Sequence, residues 1–382
     1  MWRDRLSAAF ESSAEPGRIL AMDGVRGLAV ILVFFVHFHS NFGEWAPPAW
    51  RSAALWLADA GHSGVDLFFA LSGFLIYGIL VERRPPLLRF WRRRIQRLYP
   101  TFAAVLVTYV ALSALFPERS KIPPGAAATS IYLLQNALLL PGVLDLKPII
   151  TVAWSLSYEI FFYLGLPLVV WISGGLARMA AITALAAAAM MFVFSDPTRY
   201  YPAIPFSPLV LIGFLLFLPG IVSWELRHRN PRIPALGLAG LLIAIAGVAA
   251  LLPRGTEADN PLGEDPWRTL TRTLIVAVSL TPFARECFAH RGWLARAFEW
   301  KPLRLLGAMS YSFYLAHSLA LHALAMVVAK THGPARAGGG AFLVLLLAAF
   351  ATAVAASLAL FLGVELPFSL RKTRASRVTE KS

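Results

Sequence analysis

The sequence predicts an all-α protein, a polytopic bundle of about ten transmembrane helices, and three observations predict it. Of its 382 residues 58% are hydrophobic and only 15% are charged, with a mean hydropathy of +0.63, whereas soluble domains carry about 25% charge. Apolar runs of the roughly 20 residues that cross a bilayer recur along the whole chain. Some, such as 343–364, hold no charge until Glu365, which a large soluble core does not require. The net charge of +14 fits the Lys and Arg that collect in cytoplasmic loops better than a nucleic-acid partner. The single cysteine, Cys287, excludes an internal disulfide and a cysteine-rich metal site, and no metal is expected. Residues 1–18 are polar and mixed in charge, unlike a cleavable signal peptide.

In chain order the expected spans are 20–42, 61–81, 98–117, 151–172, 176–195, 205–222, 234–252, 268–284, 305–330 and 341–364. Loop charge orients them. The loop 82–97 carries Arg83, Arg84, Arg89, Arg92, Arg93, Arg94 and Arg97 and is read as cytoplasmic. The same holds for 223–233, for 285–304 and for the tail from Arg371. Between the first two loops the chain crosses an even number of times, which four of the spans already satisfy. The additional apolar run 126–142, with Gln135 and Asn136 between Pro124 and Pro141, is therefore read as re-entrant or as an external interfacial helix. The acidic loop 253–267 falls outside. Both termini then lie in the cytoplasm, with 1–18 an N-terminal segment, 19–370 the membrane domain and 371–382 a basic tail.

Ionisable residues inside spans are expensive and point to function. Arg26 and His37 stand eleven residues apart in the first span, about three turns, and so share a face roughly 16 Å apart along the axis. A snorkelling Arg and a packing His are the plain alternative. Asp66 lies inside the second span, with Ser72 near its middle. It needs a partner, and Arg26 or another buried cation is the natural one. Gly61, Gly64 and Gly73 there permit close helix contact. In the fourth span Ser155 and Glu159 share a face, and Glu159 falls at a depth comparable to His37. A carboxylate and an imidazole at one level can form a general-base pair. In the ninth, Ser310, Tyr314 and His317 form one polar stripe, where His317 is a second catalytic group, a substrate contact or a structural histidine. The arginines of 89–97 exceed what orientation requires. Anionic lipid accounts for some of them, and a polyphosphate ligand held by Arg93, Arg94 and Arg97 for the rest. Neither a Walker nor a Rossmann glycine loop occurs.

The runs DGVRGLAV with His37, GVDLFFALSGFLI, RRRIQRLYP, WSLSYE and GAMSYSFYLAHS stand in the order seen in the membrane acyltransferase 3 family, and the chain resembles that family over about residues 19–367. The resemblance implies a bacterial multi-pass inner-membrane O-acyltransferase of the stand-alone type, without a fused esterase-like domain. Such an enzyme moves an acyl group, by default acetyl, from cytoplasmic acetyl-CoA or another acyl-CoA to a hydroxyl of a glycan, a lipid-linked sugar or another acceptor at the outer face. On the matching motifs His37 is catalytic, with Glu159 or Asp66 orienting it. Arg26, Arg93, Arg94 and Arg97 hold the donor. Ser72, Trp154, Ser155, Tyr311, Tyr314 and His317 line the substrate site. His37 acts as a base on the acceptor hydroxyl or carries the acyl group itself, and both routes stay open. The rival reading is a proton-coupled transporter or flippase of a lipid-linked sugar, in which the same buried charges form a relay. No repeated pair of broken helices of the kind carriers show is apparent.

Overall fold

In a computed structural model of the chain the described residues are 19–144, 146–172, 181–182, 184–185, 188–189, 210–228, 233–251, 266–289, 292–332 and 338–370. Among them every regular element is helical and no strand forms. Among the described residues seven helical stretches are long and apolar enough to cross a membrane, and Leu211–Glu225 is a shorter apolar one. Most of the expected span 176–195, the loop 253–265 and both terminal segments lie outside the described residues.

Helix α1 (Leu20–Phe42) has the bounds read from its apolar run. In it, and in the stretch Pro48–Arg83, the most apolar window is 67% buried, against 17% for the last stretch, Gly339–Leu370. Those two stretches therefore form the middle of the bundle. The second is interrupted at His62, which separates α2 (Arg51–Gly61) from α3 (Ser63–Arg83). The break lies between Gly61 and Gly64, whose missing side chains let this segment press on α1. A Cβ there would sit 2.3 Å from the Leu32 carbonyl oxygen and 2.5 Å from that of Ala29. Gly73 lies equally close to Phe217, so all three glycines make the close contacts expected of them.

Helix α4 (Leu87–Leu115) corrects the sequence reading. The arginine-rich stretch taken as a loop is the first part of a helix, which starts directly after Pro85 and Pro86. Proline with its fixed φ suits a helix start, and arginine is a good helix former, so nothing in 87–97 opposes continuation. Helix α5 (Ala126–Ala137) has 12 residues, about 18 Å at 1.5 Å per residue, and is too short to cross. Helix α6 (Trp154–Ile172) contains Pro167, which cannot donate to the Tyr163 carbonyl one turn back. The Trp91 indole of α4 donates to that carbonyl instead, at 2.9 Å.

After the 3₁₀ turn Phe214–Phe217 come α7 (Leu218–Glu225), α8 (Pro234–Leu251), α9 (Pro266–Ala289), α10 (Trp293–Phe298) and α11 (Lys301–Ala308). Then follow α12 (Ser310–His332) and α13 (Gly339–Leu360). The expected span 305–330 is thus broken at Met309. Helix α13 runs on as a π-helix, Phe361–Leu370, that turns Phe361, Glu365 and Ser369 inward. Helix α1 packs against α2, α3, α10, α11 and α12; α8 packs on α9, α3 on α7, and α12 on α13.

Helices α1 and α11 approach closely at two glycines. A Cβ at Gly27 would lie 2.0 Å from the Leu303 carbonyl oxygen, and one at Gly307 would lie 1.7 Å from that of Asp23. Backbone cannot yield as a side chain can, so a larger residue forces the helices apart. Gly27→Val is expected to destabilise the detergent-solubilised protein by about 2–3 kcal/mol, read as a lowered Tm. A Tm equal to that of the parent protein would refute this packing.

Candidate active site

A cleft of about 180 Å³ lies among α1, α3, α4, α6 and α12. Arg26 of α1, Ser72 of α3, Arg94 and Arg97 of α4, and Ser155, Glu159 and Tyr163 of α6 line it, with Ser310, Tyr311 and Tyr314 of α12. Each helix contributes at its own period. Arg94 and Arg97 are three apart on α4, Ser155, Glu159 and Tyr163 four apart on α6, and Ser310 and Tyr314 four apart on α12, the spacings that put helical residues on one face. Apolar residues of α3, among them Leu75, Ile76 and Ile79, also line it. The cleft thus combines cations with an apolar lining.

Its charges are held in different ways. Arg26 Nη1 lies 3.5 Å from Asp23 Oδ1, one turn earlier on α1. Arg97 Nη1 lies 3.1 Å from Oε1 of Glu365, a fully buried carboxylate on the π-helix. Arg94 instead lies over the rings of Phe90 and Tyr163, 5.6 and 5.8 Å from their centroids, a cation–π arrangement. Its buried Nε has no hydrogen-bond partner among the described residues. Glu159 accepts hydrogen bonds from Ser72 Oγ at 3.1 Å and from the Tyr163 hydroxyl. Tyr311 donates to the Leu98 carbonyl at 2.9 Å and Tyr314 to that of Val152 at 2.5 Å, with Ser155 Oγ 2.7 Å from the Tyr314 hydroxyl. Two tyrosines are therefore pinned at the oxygen end and cannot swing freely.

His37 is buried, and the group that meets it is His317, not Glu159. The two imidazoles lie edge to face with centroids 4.7 Å apart. This corrects the expected carboxylate–imidazole pair, and packing explains it. Helix α12 lies on α1 at that level, whereas α6 packs against α3 and α4. His317 is fully buried, its Nδ1 lies 2.8 Å from the Phe313 carbonyl oxygen, and its Nε2 has no partner among the described residues. A carbonyl can only accept, so Nδ1 carries the proton when the ring is neutral. The link from the histidines to the cleft is Tyr314, whose ring centroid is 6.2 Å from that of His317. Neither histidine is on the cleft wall itself.

Other residues named from sequence lie away from the cleft. Arg93, off the face that carries Arg94 and Arg97, does not line the cleft. Asp66 and Trp154 line a second, much smaller chamber with His62, Tyr158 and Arg272. The cation acting on Asp66 is Arg272 of α9, while Arg26 is taken by Asp23. Phe69 walls both cavities and separates them. Glu365, Arg272, Tyr163 and Asp23 were not singled out from sequence. For Arg272 the signal was present, since an arginine within an apolar stretch points to function by default. For Glu365 it was a single acid closing a long uncharged run. No group of His, Cys, Asp and Glu able to hold a metal occurs among the described residues.

Comparison with known proteins agrees with the motifs. The family described as "Acyltransferase domain" matches residues 19–362. The chain is similar to "Peptidoglycan O-acetyltransferase OatA" of Listeria monocytogenes, 28% identical over 328 residues, 78% of this chain and 48% of that protein. It is similar to "Putative peptidoglycan O-acetyltransferase YrhL" of Bacillus subtilis, 29% identical over 333 residues and covering the same shares, 78% and 48%. "O-acetyltransferase OatA" of Staphylococcus aureus is 26% identical over 332 residues, 80% of this chain and 51% of that protein. The chain thus spans about half the length of these relatives. No solved structure matches it.

The second chamber yields a prediction. Asp66 and Arg272 are 4% exposed each, so removing one leaves an uncompensated charge in a dry site. Asp66→Asn and Arg272→Met should each destabilise by about 3 kcal/mol, and the double variant by clearly less than their sum. Thermal unfolding of the four proteins checks this, and additive losses would show that the two groups are independent.

Proposed function

The chain belongs to the acyltransferase domain family, and from that premise we propose that it is a multi-pass membrane O-acyltransferase. In this reading it transfers an acetyl group from acetyl-CoA, arriving from the cytoplasm, to a hydroxyl of a glycan or lipid-linked glycan on the other side. The observation that carries the proposal is the convergence of Arg26, Arg94 and Arg97 on one cleft. These residues come from sequence positions far apart, and their planar cationic forks suit phosphate. The partnerless Nε of Arg94 leaves a donor for such a group. The apolar wall of α3 suits the uncharged arm that joins the phosphates to the thioester. A glycan acceptor accords with the printed names of the relatives, two of which specify peptidoglycan.

The chemistry assigned to the chain is modest and complete. His37 takes the proton from the acceptor hydroxyl, whose oxygen bonds to the thioester carbonyl carbon. The carbon–sulfur bond then breaks, and the thiolate leaves with the proton that His37 returns. An ester and a free thiol result. General-base assistance of this kind contributes roughly 10²–10⁴-fold. Glu159 does not orient His37 in this scheme. It ties Ser72 and Tyr163 together and so fixes the cleft wall beside Arg94. Asp66 belongs to the neighbouring chamber.

The test is transfer of radiolabelled acetyl from acetyl-CoA to a glycan acceptor by the purified protein. His37→Ala should lower turnover at least ~100-fold with little change in Tm, and turnover near that of the parent protein would end the assignment. Arg94→Gln should act differently, raising the KM for acetyl-CoA more than it lowers kcat, because the interaction it removes holds the donor before and during the reaction.

A further inference from the structure

The proposed reaction uses Arg97 but leaves unexplained why a carboxylate should be wholly buried behind it. Glu365 is 0% exposed. Its two oxygens are divided between two helices. Oε1 lies 3.1 Å from Arg97 Nη1 of α4, and Oε2 accepts from the backbone N–H of Ser312 at 3.1 Å and from its Oγ at 2.6 Å, both on α12. One turn further along both partners the pairing repeats, with Thr101 Oγ1 3.3 Å from Ser369 Oγ. Phe361, Glu365 and Ser369, four residues apart on the π-helix, all point inward, which puts the repeat on one face. Segments of π-helix occur frequently at functional sites.

We propose that Glu365 is a positioning residue for the donor site, holding the Arg97 guanidinium at a fixed angle so that its remaining donors face the cleft. The inference rests on reading the cleft as the place where the acyl donor binds. A guanidinium carries five N–H donors in a rigid plane. The 3.1 Å ion pair with Glu365 is not aligned as a hydrogen bond, so it restrains the Nη1 end by charge, and the guanidinium meets an incoming anion with less side-chain freedom left to lose. Fixing a group in its bound geometry beforehand is a general route to affinity. A stitch between two helices alone would not need a charge. An apolar pair in place of a buried ion pair is often as stable or more so. Arg94, one turn away, is held by aromatic faces instead. The two arginines are thereby fixed independently, one by a carboxylate and one by rings.

The carboxylate also ties this arginine to α12, the helix that carries Tyr311 and Tyr314 on the cleft and His317 against His37. Tyr311 adds a second tie between the same two helices through the Leu98 carbonyl. Glu365 thus sets the cationic wall and the tyrosine wall against each other.

The experiment is isothermal titration of the full chain, in detergent micelles, with acetyl-CoA. Arg97→Gln should weaken binding roughly tenfold, the worth of one charge-assisted contact. Glu365→Gln should weaken it by a similar factor although it removes a negative charge from beside the site. The double variant should bind no more weakly than Arg97→Gln alone. Tm recorded for each protein separates loss of positioning from loss of fold. If Glu365→Gln does not fold, Glu365→Asp serves, since it keeps the charge but draws it back from Arg97; weaker binding is again expected. Unchanged or tighter binding in the Glu365 variants, with Arg97→Gln weakened, would overturn the positioning role. Unchanged binding in Arg97→Gln would instead overturn the reading of the cleft as the donor site.

Discussion

A charge inside a helix bundle that lies in lipid has no water to turn to, and this constraint orders the interior of the protein. Four of the charges in the cleft and its surroundings have an identifiable neighbour. Asp23 meets Arg26, Glu365 meets Arg97, Arg272 acts on Asp66, and the rings of Phe90 and Tyr163 take Arg94. Glu365 and Arg97 sit on different helices, as do Asp66 and Arg272, so satisfying them ties the π-helix and α12 to α4, and α3 to α9. The polar interior is therefore both the site and part of the scaffold.

The apolar contacts supply the other part. Lipid tails offer a helix as favourable a surface as another helix does, so close backbone approach and packing have to hold the bundle together. That is what the glycines at Gly27, Gly61, Gly64, Gly73 and Gly307 provide, each pressed on a carbonyl of the neighbouring helix. Three of these carbonyls belong to α1 and a fourth lies against its Gly27. The hub helix that carries Arg26 and His37 is thereby the most tightly gripped element described.

How far the sequence reached can be judged from particular residues. Helix α1 was legible to its ends because its apolar run is bounded by polar chain on both sides. Arg94, Arg97, Glu159, Ser72, Tyr311 and Tyr314 stood out as polar residues in or beside apolar stretches and line one cleft, but Asp66, Arg93, Trp154 and His317 stood out on the same grounds and do not. Which of them meet was not legible. Spacing along a helix fixes a face but not the helix opposite it, so depth alone suggested Glu159 as the neighbour of His37, where α12 in fact brings His317. The partner of Asp66, expected as Arg26 or another buried cation, is the latter, Arg272. The start of α4 was missed for another reason. A cluster of arginines reads as a loop when charge is used to find membrane boundaries, although arginine has no quarrel with a helix.

The π-helix at 361–370 has a practical meaning for anyone handling this protein. The last long apolar helix ends at Leu360, and a shortened chain cut there would keep every stretch that looks able to cross the membrane. It would nonetheless lose Glu365 and Ser369, and with them the anchoring of Arg97 and Thr101. Affinity tags and reporter fusions at this end therefore belong beyond residue 370, behind a spacer that leaves the final turns free to wind as they do.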